Sequence, residues 1–286
     1  MKRTHPYLLI FNFINTYSVF VAIGSLSSYL FFSELLNVKP NYIVATGLSI
    51  GLWVIYSLDH LLDGLSLGEK ASSVRHREHF LKHKQITSLI LIGIVSLIGL
   101  SFWLPFIYYN YIVFLCVLTL IHFLFNYTLS IRFVALRYFK EVFIAFVVTI
   151  GFVITPVVED HSSIDMNQLE HVFILFYFIN LSNLFLFSYF DNEHDQKDNM
   201  ITIAHFYGLG KLRNLIFFGI AISFVLLGIS FVNGYVDGIS FTLFLTMQIT
   251  LLIIIVFPSF FGTNDRYRFF VDLIYLYPLA IFLFLG

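Results

Sequence analysis

Nine mostly apolar segments dominate this sequence, and each is roughly 17 to 25 residues long, which suffices to cross the hydrocarbon core of a bilayer as a helix. Apolar residues make up 59% and charged residues 12% of the 286 residues, whereas soluble domains contain roughly 25% charged residues. We therefore predict an all-α polytopic membrane protein, a bundle of about nine transmembrane helices forming one membrane-embedded domain over residues 1–286. The predicted helices cover residues 8–32, 42–60, 86–104, 107–127, 141–158, 169–190, 213–232, 239–257 and 269–285.

The distribution of basic residues favours one orientation of this bundle. Fifteen of the 16 Lys and Arg residues fall at the N-terminus or in the loops after predicted helices two, four, six and eight, and Lys39 is the exception. Because basic residues accumulate in cytoplasmic loops, we expect the N-terminus and these loops in the cytoplasm and the protein in a bacterial inner (plasma) membrane. The net charge of −1 argues against a nucleic-acid partner. The single cysteine, Cys116, excludes an intramolecular disulfide.

Two acidic motifs follow apolar helices on this predicted cytoplasmic side. After the sixth apolar segment, Asp191, Asp195 and Asp198 occupy positions i, i+4 and i+7, which share one face of a helix. After the second segment, Asp59 and Asp63 repeat the D-x-x-x-D spacing. A carboxylate near a helix C-terminus meets the negative end of the helix dipole, at a cost of roughly 0.3–1 kcal/mol. Two such pairs on one side indicate a compensating cation, with solvated interfacial carboxylates as the alternative.

Mg²⁺ bound together with a phosphorylated ligand suits this arrangement. Mg²⁺ prefers hard oxygen donors and commonly bridges one or two carboxylates to substrate phosphates. We predict the four aspartates of the two D-x-x-x-D pairs as metal ligands and catalytic residues. Nearby basic side chains could contact the remaining phosphate oxygens, or they serve only to set the orientation of the chain. These basic residues are Arg75, Arg77, Lys140 and Lys197.

The second acidic motif has the sequence D-N-E-H-D at residues 191–195, followed by T-I-A at 202–204 and by Gly208. This pattern resembles the second aspartate-rich motif of the UbiA-type membrane prenyltransferases. The members of that family have nine helices, and their two aspartate motifs follow helices two and six and face the cytoplasm. The resemblance therefore implies the same helix number and the same placement of the two acidic motifs in this chain.

The similarity extends along most of the chain. It includes residues 127–151, where Lys140 lies near a basic residue that the family uses to bind diphosphate, and residues 266–278, which resemble the last helix of the family. The first acidic motif departs from the family pattern N-D-x-x-D-x-x-x-D, because alignment of Asp63 with the middle aspartate places His60 where the family has its first aspartate. Gly64, directly after this motif, is predicted to end the second helix.

The resemblance implies transfer of a prenyl group from an isoprenoid diphosphate to a lipophilic, often aromatic acceptor. Mg²⁺ would hold the diphosphate. Departure of the diphosphate would leave an allylic cation-like centre, which the acceptor attacks. A long apolar chain also requires an apolar pocket between the helices. Tyr127 and Asp198 complete the predicted substrate-binding residues, together with the four basic residues named above.

Two other classes of function compete with this prediction. His76, His79 and His83 are spaced to share one helical face, as expected of a membrane oxidase or hydroxylase with a histidine and carboxylate metal site. The alternative for these three residues is a solvated amphipathic helix on the membrane surface. A non-catalytic lipid-binding or transport protein is the third class, but the helix centres carry almost no charge, whereas transporters often have charged residues at mid-membrane.

Overall fold

The computed structural model describes residues 13–14, 16–128, 139–158 and 164–279. Within these ranges the chain is helical and contains no strand. The helices are α1 (Val19–Leu35), α2 (Tyr42–Leu67), α3 (Val74–Leu81), α4 (His83–Ser101), α5 (Ile107–Phe123), α6 (Lys140–Thr149), α7 (Met166–Lys197), α8 (Ile203–Val232), α9 (Gly238–Val256), α10 (Pro258–Gly262) and α11 (Arg266–Leu273). Short 3-10 or π-helical turns cover Gly68–Lys70, Leu124–Thr128, Ile150–Ile154, Thr155–Val158, Thr263–Asp265 and Ile274–Leu276.

Seven helical stretches within the described ranges are long and apolar enough to cross a membrane. They overlap predicted helices two to eight one for one, which confirms the all-α class and supports a multi-pass membrane protein. The predicted first and ninth helices extend into residues outside the described ranges, so the count of nine, the cytoplasmic N-terminus and the single domain stay predictions. The seven stretches are Tyr42–Lys70, His83–Ser101, Ile107–Tyr127, Lys140–Val158, Met166–Lys197, Ile203–Val232 and Gly238–Val256.

Both acidic motifs lie inside long helices, not after them. The prediction that Gly64 ends the second helix is wrong, because α2 passes through this residue and ends at Leu67. The following residue, Gly68, has a positive φ of 67°, a backbone conformation that glycine adopts without steric cost. In the same way, α7 continues to Lys197, beyond the second acidic motif. The aspartates of each pair are therefore held one turn apart on a helical face.

A large aromatic core fixes the position of α7. This helix packs along α8, and together with α1, α9 and α11 the two helices enclose the main apolar core. The rings of Phe32 and Phe244 pack edge-on against Phe176 of α7, with the Phe32 and Phe176 centroids 4.7 Å apart. Gly219 permits a close approach of α8, because a Cβ atom there would lie 2.6 Å from Ser182 Oγ. Packing along α7 thus fixes the position of the helix, and with it the acidic motif near its C-terminal end.

Gly64 permits the close packing of α3 on α2. A Cβ atom at this position would lie 2.6 Å from the carbonyl oxygen of His76, 3.1 Å from the backbone nitrogen of Phe80 and 3.3 Å from Cβ of His79. Because glycine lacks this atom, the two helix backbones approach closely. This contact brings Arg75 and His76 next to the first acidic motif.

The short helix α3 is therefore not a solvated surface helix. His79 is only 1% exposed, and burial lowers its pKa. His79 Nδ1 donates a hydrogen bond to the carbonyl oxygen of Arg75 at 2.9 Å, and His83 Nδ1 donates to that of Phe80 at 2.8 Å. Among the residues that the structure describes, His76, His79 and His83 do not converge as ligands of one metal ion. The structure favours neither sequence-based interpretation of these three histidines.

Candidate active site

A cavity of about 420 Å³ lies between α2, α6 and α7, and residues of α3, α5 and α11 complete its wall. Within the described ranges, six carboxylates and three basic side chains line it. Asp63 and Glu141 are buried and the other four carboxylates are half-buried, and carboxylates in such surroundings need compensating cations or protons, so the cavity suits a ligand that brings positive charge. The carboxylates belong to Asp59, Asp63, Glu141, Asp191, Asp195 and Asp198, and the basic side chains to Arg75, Lys140 and Arg268.

Tyr127 connects the two aspartates of the first motif. Its hydroxyl oxygen lies 3.0 Å from Asp59 Oδ1 and 2.9 Å from Asp63 Oδ1. The residue lies in the π-helical turn Leu124–Thr128, a distortion that often occurs at functional sites. A phenol has one hydrogen and can donate to one of these oxygens at a time. The second carboxylate therefore needs a proton or a cation from elsewhere.

Three further side chains surround Asp59. Asn126 Nδ2 donates a hydrogen bond to Asp59 Oδ1 at 3.2 Å. His122 Nε2 lies 3.7 Å from the same oxygen, and Lys140 Nζ lies 4.0 Å from Asp59 Oδ2. Lys140 thus stands at the first turn of α6 with its ammonium group facing the first motif, where it can also reach an anion in the cavity.

His60 and His76 flank Asp63, the other aspartate of the first motif. His76 Nε2 lies 3.9 Å from Asp63 Oδ2. Burial, assisted by the positive charges of Arg75 and Arg268, lowers the pKa of His76 to about 4, so this imidazole is neutral at pH 7. Arg75 Nη1 donates a hydrogen bond of 2.7 Å to His60 Nε2. The first motif therefore combines carboxylates with imidazoles, as its departure from the family pattern indicates.

The second motif is anchored by α11. Arg268 Nη2 and the hydroxyl of Tyr267 both donate to Asp191 Oδ1, and the side chains of this cluster are largely buried. Within the described part of the chain, the Asp195 carboxylate has no hydrogen bond or ion pair, although it lines the cavity. One aspartate of the pair is thus fixed by protein groups, and the other is available to a ligand.

Of the remaining predicted site residues, Asp198 has a structural partner and two others lie outside the cavity. Asp198 accepts hydrogen bonds of 2.9 and 3.2 Å from the Ser72 backbone nitrogen, which ties the loop before α3 to the end of α7. Lys197 is exposed and pairs with Glu193 at 2.7 Å. Arg77 is exposed on α3. Neither Arg77 nor Lys197 is among the described residues that line the cavity, and their contact with the substrate stays a prediction.

Beyond its polar end, the cavity is apolar. On α2 and α7 the apolar lining residues precede the first aspartate of each pair by seven and four positions, and on α6 they follow Lys140 by three to eight positions. These spacings keep them on the helical faces that carry the charged residues, reaching roughly 10 Å deeper along the helices. The apolar lining includes Leu52, Ile55, Phe143, Ile144, Val147, Val148, Leu184 and Phe187.

Comparison with known proteins identifies the fold. No family model and no curated protein matches the sequence. The structure is similar to that described as the apo structure of a UbiA homolog from Aeropyrum pernix K1, with a TM-score of 0.66 over 92% of this chain and 98% of that chain, at 10% sequence identity. This chain adopts the UbiA fold. The resemblance inferred from the acidic motifs is thereby confirmed at the level of the fold.

The UbiA fold brings together residues that the sequence did not mark as one site. Arg268 was counted only among the basic residues that set the orientation, and Tyr267 was not singled out. Both lie in the segment 266–278, whose resemblance to the last helix of the family was the available signal. His122 and Asn126 carried no signal beyond their position near the end of an apolar segment, because their role depends on the packing of α5 against α2 and α6.

Proposed function

We propose that this protein transfers a prenyl group from an isoprenoid diphosphate to a lipophilic, possibly aromatic acceptor, with Mg²⁺ as cofactor. The observation that carries the proposal is the division of one cavity into two parts. Its polar end holds both aspartate pairs and three basic side chains, and its deeper end is apolar. A diphosphate ester of a long hydrocarbon has the same division of charged and apolar parts.

The residues at the polar end fit Mg²⁺. The available donors are hard carboxylate oxygens, and Mg²⁺ commonly takes one or two of these while substrate phosphates and water supply the rest. The residues that would hold it are Asp59, Asp63, Asp191 and Asp195, of which Asp195 has no protein partner in the described ranges. When bound, the ion would neutralise charge on the departing diphosphate.

The basic side chains of the cavity have a separate role in this proposal. Lys140, Arg75 and Arg268 line the same end as the aspartates and would bind the diphosphate oxygens, to which guanidinium groups can donate two parallel hydrogen bonds. Arg75 and Arg268 are each 9% exposed, so their charges are weakly screened. They would hold the leaving group in place and accept its increasing charge without moving.

The apolar end of the cavity would hold the prenyl chain and exclude water from the allylic centre. The rings of Tyr56, Phe143 and Phe187 are part of the cavity wall. The face of an aromatic ring stabilises a nearby cation by about 0.5–2 kcal/mol, depending on its exposure to water. Exclusion of water would favour attack by the lipophilic acceptor over hydrolysis.

The distribution of Lys and Arg supports a location of the reaction at the cytoplasmic side of the membrane. The acidic motifs lie near the ends of α2 and α7, on the same predicted side as 15 of the 16 basic residues. Basic loops are retained in the cytoplasm during insertion. The polar end of the cavity would then open to a water-soluble diphosphate supply, and the acceptor would enter from the bilayer.

The proposal is tested by replacing the aspartate that has no protein partner. We expect Asp195→Asn to lower the rate of diphosphate release from geranylgeranyl diphosphate by about 10²-fold, the effect of losing one electrostatic contact to the leaving group. The assay uses purified protein with a total membrane lipid extract as the source of acceptor, with and without Mg²⁺. Glu193→Gln is the matched control, because Glu193 lies between the two aspartates but is exposed.

A binding measurement completes this test without an acceptor. The wild-type protein should bind the unreactive thiolodiphosphate analogue of geranylgeranyl diphosphate in a Mg²⁺-dependent manner, and Asp195→Asn should bind it more weakly. Equal diphosphate release by Asp195→Asn and Glu193→Gln, or wild-type binding that ignores Mg²⁺, would falsify the proposal.

Tyr127→Phe is expected to lower turnover without loss of the folded state. This substitution removes only the hydroxyl that lies between Asp59 and Asp63, so the two carboxylates lose the group that connects them while the ring remains packed. Loss of a group that orients ligating carboxylates typically costs 10–100-fold in activity or metal affinity. Rates are compared with those of Tyr109→Phe, whose hydroxyl bonds only to a backbone carbonyl. Parallel behaviour of the two variants would contradict an orienting role.

A further inference from the structure

The first acidic motif contains a group of donors that differs from an all-carboxylate site. One ring nitrogen each of His60 and His76 and a carboxylate oxygen of Asp63 lie within 4.8 Å of one another. Within the described ranges, this is the one set of three or more His, Cys, Asp or Glu ligand atoms that converges so closely. His60 and Asp63 share a face of α2, and His76 comes from α3 through the close contact at Gly64.

This donor group contains unsatisfied polar atoms. Among the residues that the structure describes, the Nδ1 atoms of His60 and His76 are inaccessible to solvent and have no hydrogen-bond partner. A buried polar atom without a partner is unfavourable and requires an explanation. Asp63 itself is 7% exposed, so water does not readily compensate its charge. The His76 ring can offer a nitrogen lone pair beside the buried carboxylate, whereas the His60 lone pair accepts from Arg75 and becomes available to a cation only when that contact breaks.

We propose that His60, Asp63 and His76 bind a divalent transition-metal ion of the manganese, iron, cobalt or zinc class, which refines the proposed function by leaving Mg²⁺ to Asp191 and Asp195 of the second motif. Imidazole nitrogens suit these ions, whereas Mg²⁺ strongly prefers oxygen. The inference rests on the proposed function for the role of the ion, which would face the same diphosphate as the Mg²⁺ held by α7. Its binding, however, requires neither diphosphate nor turnover.

Arg75 competes with a metal ion for His60. A neutral imidazole has one nitrogen lone pair, and that of His60 accepts the hydrogen bond from the Arg75 guanidinium. An ion that binds His60 must therefore displace Arg75 from this contact and also experiences repulsion from its charge. The displaced guanidinium would be repelled by the charge of Arg268 and attracted by those of Asp272 and Asp191. Ion binding would thus release Arg75 towards the second motif and the diphosphate.

Cobalt binding tests the site directly. The full-length protein, purified in detergent without a polyhistidine tag and stripped with chelator, is titrated with Co²⁺ in the absence of substrate. Visible ligand-field absorption reports the ligands, and equilibrium dialysis reports the stoichiometry. We expect one Co²⁺ per chain, at least ~10-fold weaker binding in His60→Gln and in His76→Gln, and no displacement by a large excess of Mg²⁺. His205→Gln serves as the matched control, since His205 is exposed and does not line the cavity.

Arg75→Gln is expected to change the Co²⁺ affinity in the opposite direction from the histidine variants. This variant removes the competing guanidinium, and we expect it to bind Co²⁺ severalfold more tightly than the wild-type protein. Tighter binding of one Co²⁺ per chain, by a variant whose thermal unfolding matches that of the wild-type protein, does not result from misfolding, so this variant keeps the inference testable even where the histidine variants unfold. Absence of Co²⁺ binding by the wild-type protein, wild-type affinity in both histidine variants, displacement by Mg²⁺ or weaker binding in Arg75→Gln would each overturn the inference. If Asp195→Asn does not change diphosphate release, the proposed function fails. The Co²⁺ result would still stand, because Asp195 lies on α7 and is not a ligand of the proposed ion.

Discussion

Arg268→Gln should destabilise the protein by about 3–5 kcal/mol, the usual effect of removing one partner from a buried ion pair. Arg268 is 9% exposed and donates to Asp191 Oδ1, and the substitution leaves the aspartate with the Tyr267 hydroxyl as its donor in this cluster. The remaining carboxylate then loses its ion-pair partner and keeps only the more distant charge of Arg75. The free energy of unfolding, measured by titration with a denaturing detergent, provides the comparison with the wild-type protein.

A double variant tests whether the loss of stability comes from the isolated charge of Asp191. Arg268→Gln/Asp191→Asn leaves no isolated charge, so it should recover most of the lost stability while diphosphate release stays low. Arg266→Gln is the control for loss of an arginine on the same helix, because Arg266 lies over the Phe260 ring and not in the cavity. If Arg268→Gln unfolds at the same detergent concentration as Arg266→Gln, the pair does not stabilise the fold.

Gly64→Ala should separate α3 from α2 and remove most activity. The new Cβ atom would lie 2.6 Å from a backbone oxygen of α3, which cannot move alone. Overpacking of this kind costs about 1–3 kcal/mol. A displacement of about 1 Å at a catalytic group can lower a rate by 10²-fold, and Arg75 and His76 would both be displaced. Thermal unfolding and diphosphate release measure the two effects, and Co²⁺ affinity should fall with them.

Gly51→Ala is the matched control for this substitution. Gly51 lies on the same helix, and no heavy atom lies within 4 Å of the Cβ atom that alanine would add there. Alanine is favoured over glycine in a helix interior by up to ~1 kcal/mol, so this variant should be at least as stable as the wild-type protein. Unchanged stability and turnover in Gly64→Ala would show that the close contact of α2 and α3 does not position the site.

The first acidic motif differs from the second in its chemistry. Asp191 and Asp195 keep the carboxylate pattern of the resembled family, and a buried arginine from α11 holds one of them. At the first motif, His60 replaces an aspartate of the family pattern, and α3 supplies His76 and Arg75 beside it. We infer that the packing of α3 provides ligands and charges that the sequence of α2 lacks.

The sequence by itself determined the fold class and half of the site. Apolar runs long enough to cross a bilayer can satisfy their backbone groups as helices, so the seven internal spans were predictable from composition and length alone. The i, i+4 spacing of each aspartate pair likewise determined a common helical face. Helix ends were less predictable, because apolar periodicity stops before the polar turns in which Asp63 and Asp195 lie.

Only the tertiary structure decided which residues meet at the cavity. Arg268 lies 77 positions after Asp191, and Tyr127 lies 64 positions after Asp63, so no local pattern connects them. A glycine at position 64 predicts the end of a helix, yet α2 continues past it and α3 packs closely against it. The physical reason is that local sequence sets backbone geometry, whereas the partners of a buried charge depend on which helices pack around it.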